Sequence, residues 1–144
     1  MQNNEISALN DVTKMLIDSQ KGYEMAAEVA DDNHYLSQAF KSRATQRGAL
    51  VNRFQQRVRN LGGEPQTDGG VLGTLHRSMT EFSSMFTSDE KAALNAIEDG
   101  EERLAEKVSN ELEDGKFSAM TQELMAEARQ SARVGERFAD AQDG

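Results

Sequence analysis

Residues 34–65 read HYLSQAFKSRATQRGALVNRFQQRVRNLGGEP, and this stretch decides the fold. Phe40, Ala44, Arg47, Val51, Phe54, Val58 and Leu61 recur at steps of three and four, the period of one helix face. Gly62-Gly63-Glu64-Pro65 then ends the helix, because glycine accepts the left-handed cap and proline cannot continue the hydrogen-bond ladder. From Asn33 to Leu61 there are six Lys or Arg and no Asp or Glu. A second segment is its opposite. From Asp89 to Asp114 ten acids stand against Lys91, Arg103 and Lys107, over the stripe Leu94, Ile97, Glu101, Leu104, Val108, Leu112. Two amphipathic helices of opposite charge in one short chain point to a bundle that pairs with itself.

The same spacing predicts two further helices. One covers about 5–30, with the stripe Ile6, Leu9, Thr13, Leu16, Gln20, Tyr23, Ala27, Ala30 and an N-cap at Asn3 or Asn4. Asp31-Asp32-Asn33 is too short a break for anything but an antiparallel hairpin into the helix of about 34–61. Thr87-Ser88-Asp89-Glu90 has a capping-box pattern and starts the acidic helix, about 89–113. Asp114-Gly115-Lys116 turns into a fourth helix, about 117–141, with the stripe Phe117, Met120, Leu124, Glu127, Ser131, Val134, Phe138. The connection 62–88 opens with glycines and carries Val71, Leu72, Leu75, Met79, Phe82 and Phe86 on one side of a short helix, about 71–86. The expectation is a single all-α domain over 1–144. Its helices form a ferritin-like four-helix bundle with a long, helix-containing crossover between the second and third. A plain up-down-up-down bundle with the short helix folded over one end is the alternative.

Composition narrows the function. The chain has 144 residues, no cysteine, no tryptophan and one proline. Without cysteine there is no disulfide framework, thiolate metal site or thiol nucleophile, which fits a reducing compartment. The first thirty residues carry neither a basic start nor an apolar run, so no signal peptide is expected. No stretch approaches ~18 continuous apolar residues, so no membrane span is expected. These features point to a cytoplasmic protein. The net charge of −9 disfavours nucleic acid and anionic membranes as partners. Its uneven spread could suggest nucleic acid at the basic helix, but that helix is read as neutralised by its own acidic partners, and a homo-oligomer, a dimer first, is a separate expectation. Residues 1–62 hold eight basic and seven acidic side chains, residues 63–144 eight and eighteen. A protein partner docking through 71–86 is a further expectation.

Each stripe is interrupted near its middle by a polar residue: Gln20, Arg47, Glu101 and Glu127. Midpoints of antiparallel helices meet at one level, so these four are expected to form a polar layer in the core, with Arg47 neutralising both carboxylates. The alternative is a metal centre, holding iron or manganese on Glu24, Glu28, Glu98, Glu101 and Glu127. Against it, no Glu-x-x-His pair exists, the second helix has no carboxylate, and His34 and His76 sit at a helix start and in the connection. No cofactor is therefore expected. Gly22, Gly48, Gly100 and Gly135 are read as marks of close helix contacts. No phosphate loop is present, and neither histidine lies beside a nucleophile, so no catalytic residue is assigned.

Several short stretches, in order, resemble one family. They are Lys21-Gly22-Tyr23-Glu24-Met25-Ala26-Ala27-Glu28, Arg43-Ala44-Thr45-Gln46-Arg47, Leu61-Gly62-Gly63-Glu64-Pro65, Leu75-His76-Arg77 and Glu98-Asp99-Gly100-Glu101-Glu102. Together they look like the bacterial four-helix-bundle domain of unknown function in the ferritin-like superfamily. The resemblance implies a ferritin-like bundle, a cytoplasmic bacterial protein and a stress-associated role. It implies no established reaction.

Overall fold

The computed structural model of the chain describes residues 2–69 and 90–143. Among them are four α-helices and no strand: α1 (Gln2–Val29), α2 (His34–Asn60), α3 (Glu90–Asp114) and α4 (Ala119–Asp143). The short helix expected over 71–86, and the capping residues Thr87, Ser88 and Asp89, lie outside the described residues. α1 begins at Gln2, so Asn3 and Asn4 lie inside it rather than capping it.

Local chemistry explains the ends that are described. Asn33 caps α2, its Oδ1 accepting from the Leu36 amide at 3.1 Å. At the other end Gly62 takes φ +87°, and the Gly63 amide donates to the Val58 carbonyl at 2.9 Å. This six-to-one closure is a Schellman cap, and its left-handed residue is why glycine stands at 62. Residues beyond it return along α1: the Asn10 side chain bonds the Glu64 carbonyl and the Gln66 amide, and Gly69 approaches Asp18.

α1 packs along α2, α3 along α4, and α1 also against α3, whereas the α2 and α4 backbones stand farther apart and are joined by side chains, among them Arg43, Arg53 and Arg57 of α2. Asn33 Nδ2 donates to Glu90 at 3.2 Å at one end of the bundle. Arg57 and Glu5 meet Ser118 at the other. The core is two apolar clusters. One surrounds Leu9, Leu16, Phe54, Val58, Leu104 and Met125. The other surrounds Tyr23, Leu36, Phe40, Leu94 and Ile97.

One stripe falls on a different face from the sequence reading. On α4, Met120 is 59% exposed and Val134 38%, and the Glu127 side chain is half exposed. The buried face is instead Thr121, Met125, Ala128, Ala132, Gly135 and Ala139. Leu124 is buried on both readings, and toward the C-terminal half the inner side is taken by small residues, where Gly135 lets α4 approach Glu101 and Tyr23. The glycines divide in the same way. A Cβ at Gly135 would lie 1.9 Å from Glu101 Oε2, and one at Gly48 would lie 2.8 Å from the Gln20 amide. Gly100, read as a close contact, faces open space.

Candidate functional site

Between the two apolar clusters lies a polar layer built around Arg47 and Glu101. Arg47 is 1% exposed and Glu101 2%. Arg47 points inward because it replaces an apolar residue in the α2 stripe, and Glu101 does the same on α3. Their planar groups meet edge to edge, with Nη1 to Oε1 and Nη2 to Oε2 both 2.7 Å. Two parallel charge-assisted bonds fix distance and orientation together. Nη1 also donates to Ser19 Oγ of α1. Nη2 donates to Ser131 Oγ of α4 at 3.1 Å. All four helices thus meet at one guanidinium, whose Nε is buried without a partner.

Tyr23 closes the cluster. Its hydroxyl donates to Glu101 Oε2 at 2.6 Å and accepts from Arg43 Nε at 3.0 Å. Arg43 Nη2 also donates to the Ser131 carbonyl at 3.2 Å, and its guanidinium lies over the Tyr23 and Phe138 rings at 5.3 and 5.8 Å. Burial, and next the negative charge of Glu101, push the Tyr23 phenol well above its ordinary range. Burial works against the Arg47 charge, but the hydrogen bonds and charge of Glu101 more than offset it and raise its pKa. Chemically, the layer stores charge rather than offering it. Its nucleophilic and acidic atoms are already engaged with one another.

The sequence-derived set assembles in part. Arg47 and Glu101 meet as expected. Gln20 is half-buried, with its amide against Gly48. Glu127 does not enter the core: it pairs with Arg53 across the α2–α4 edge, both about half exposed. The α4 stripe is rotated from its expected face: Phe117 and Leu124 are buried and Ser131 reaches the layer, but Met120, Glu127 and Val134 turn outward. Ser19, Tyr23, Arg43 and Ser131 were not assigned. Two carried a signal, because Arg43 is four residues before Arg47 and Tyr23 three after Gln20, each one helical turn from a layer position.

A second buried acid lies at one end of the bundle. Glu5 accepts from Ser118 Oγ at 2.7 Å, from the Ser118 amide at 3.3 Å, and from Thr121 Oγ1. Arg57 donates to both hydroxyls, at 2.7 and 3.1 Å. Each hydroxyl therefore accepts from the guanidinium and donates to the carboxylate. Glu5 caps the start of α4, where unpaired amides and the helix dipole favour negative charge. Burial opposes its ionised form, but the bonds from Thr121 and Ser118 and the charge of Arg57 outweigh it and hold the carboxyl below its ordinary value.

The metal alternative needs several carboxylates turned to one point. Glu24 and Glu28 are exposed, and Glu24 pairs with Lys21. Glu98 is half-buried and Glu127 is at the surface. Among the described residues no three of His, Asp and Glu come together as a ligand group. Glu101 is the one buried acid at mid-height among them, and both its oxygens are taken by Arg47. This donor set does not fit a pair of divalent cations.

Beside the layer, α2 and α4 leave a groove of about 450 Å³, walled by Ala49, Leu50 and Val134 and bordered by Gln46, Gln130 and the Arg53–Glu127 pair. No helix among the described residues is long and apolar enough to cross a membrane. A family model described as a domain of unknown function (DUF2383) matches residues 4–114. That span contains Ser19, Tyr23, Arg43, Arg47 and Glu101 and ends before α4. Neither a curated protein nor a solved structure matches the chain.

Proposed function

The chain belongs to the DUF2383 family, and on that premise we propose that it is a non-catalytic, self-associating bundle of ferritin-like architecture with a structural ion pair at the height where ferritin-like enzymes hold metal. The observation that carries this reading is the two-point grip of Arg47 on Glu101. A carboxylate saturated by a guanidinium is not available as a ligand, and a cation beside Arg47 would be repelled. Buried pairs of this kind are tolerated when every hydrogen bond is met, and they fix helix register.

The ferritin-like order of helices is supported by three contacts: residues 64–69 follow α1, Glu90 sits at the Asn33 end, and Arg57 sits at the Ser118 end. Under this reading the connection crosses the length of the bundle. Cytoplasmic residence in a bacterium, and a stress-associated role, come with the resemblance and are part of the proposal.

Metal analysis tests it. Protein purified without chelators, and again after incubation with iron or manganese, is expected to hold neither stoichiometrically. Iron or manganese retained through gel filtration and lost on Glu101→Ala would overturn the reading in favour of a carboxylate metal centre.

A further inference from the structure

α4 carries apolar groups on two faces. Its inner face is the small-residue stripe at Ala128, Ala132, Gly135 and Ala139. The second is Val134, in the groove between the α2 and α4 backbones, with the exposed Met120 and the half-buried Phe138 on the same side of the helix. The exposed side of α2 is rich in amides and small residues, with Tyr35, Gln38, Ser42, Thr45, Gln46, Ala49, Asn52 and Gln56, and its formal charges are Lys41, Arg53 and Arg59. A patch of amides and small residues beside exposed apolar groups is the composition of an interface core.

We propose that the α2–α4 face docks on the same face of a second copy of this chain, about a twofold axis parallel to the helices, so that α2 lies on the partner's α4. This deepens the self-association stated above and rests on it. Two arguments select the occupant. The first is area. Helices of about 25 residues are ~38 Å long, and two side by side are ~20 Å wide, giving roughly 760 Å², close to the ~800 Å² each partner buries in a standard interface. The second is charge. α2 exposes Lys41, Arg53 and Arg59 and no acid, while α4 exposes Glu123, Glu127 and Asp140 beside Arg133 and Arg137. A twofold perpendicular to the helices would set α2 against α2, positive on positive. The parallel twofold sets α2 against α4, and each Arg53, already paired with its own Glu127, would also face the partner's Glu127. Residues 63–69 do not compete for this face, because they lie on α1 and on the Gln55 flank of α2.

The chain has no cysteine, so single cysteines report contacts cleanly. Wild-type mass is measured by light scattering across a concentration series, with Ala49→Glu beside it. Ala49 is exposed in the groove wall, so helicity should be unchanged while the dimer weakens roughly a hundredfold, because a long charged side chain replaces a methyl group in the contact and must give up water there. Mixing Gln46→Cys with Val134→Cys under mild oxidation should give a cross-linked dimer that neither variant gives alone. Three results overturn the proposal. A dimer indifferent to Ala49→Glu means association through another face, with self-association intact. Cross-linking of Gln46→Cys to itself means α2 on α2. A monomeric wild type removes both this face and the self-association beneath it.

Discussion

Glu101 and Glu5 are the two buried acids among the described residues, and each is held by an arginine of α2, yet they are different devices. Glu101 sits between the two apolar clusters, and its counter-charge Arg47 is as enclosed as it is. Neither charge has an alternative partner in water. Glu5 sits at the start of α4, where two hydroxyls, an amide and the helix dipole share the stabilisation with Arg57. The middle of the bundle therefore depends chiefly on one two-point pairing, with Tyr23 and Arg43 beside it, and the end on several small terms. A charge lost at mid-height should be felt far more than one lost at the end.

The largest effect is expected from Arg47→Met, which strips the buried Glu101 of its two-point partner, leaves it only Tyr23 and the more distant Arg43, and should destabilise by ~3–5 kcal/mol. Arg47→Met with Glu101→Leu removes both charges and should be clearly less damaging. Urea unfolding of the three proteins decides it, and a harmless single change would break the comparison.

Gly135→Ala comes next. Its Cβ would collide with Glu101 Oε2 and the Tyr23 hydroxyl, so the cluster must shift, at about 2–3 kcal/mol for an overpacked site. Gly100→Ala, one position from Glu101 but facing open space, should stabilise by ~0.5–1 kcal/mol. Opposite shifts in thermal midpoint are the expected result, and shifts of the same sign would mean that α4 does not close on the layer.

Glu5→Gln should cost about 1.5–2 kcal/mol at neutral pH, the lower part of the range for hydrogen bonds to a charged group. Because the folded carboxyl titrates below its unfolded value of ~4.3, its contribution is present above that value and disappears as pH falls through the folded one. Wild type and Glu5→Gln should differ at pH 7 and converge in strong acid, which stability curves against pH will show. A constant gap would mean that shape rather than charge is at work.

The smallest effect is expected at Glu127→Ala. Its partner Arg53 is as exposed as it is, and such pairs contribute ~0–1 kcal/mol. Loss of several kcal/mol in a thermal melt would return Glu127 to the core.

How far the site was legible follows from the helix faces. On α2 and α3 the apolar stripes carry large residues, so the polar interruptions at Arg47 and Glu101 stand out and do meet. On α4 large apolar residues fall on both faces, Leu124 and Met125 inside and Met120 and Val134 outside, so their spacing does not mark the buried face, and the stripe through Leu124 and Val134 runs over Glu127 where Ala128 is buried. The Glu5 cluster left no pattern, because an acid in the first turn of a helix is ordinary, and its partners are 52 to 116 residues away.

By itself the sequence determined four helices, most of their ends and the pairing of one buried arginine with one buried glutamate. Those depend on period, caps and the scarcity of charge in apolar stripes, all of which are local. Tertiary structure alone decided which face of α4 is buried, which acids share a guanidinium, and where two helix backbones stand apart. Those depend on how near two backbones come, and that distance is set by the packing of all four helices at once.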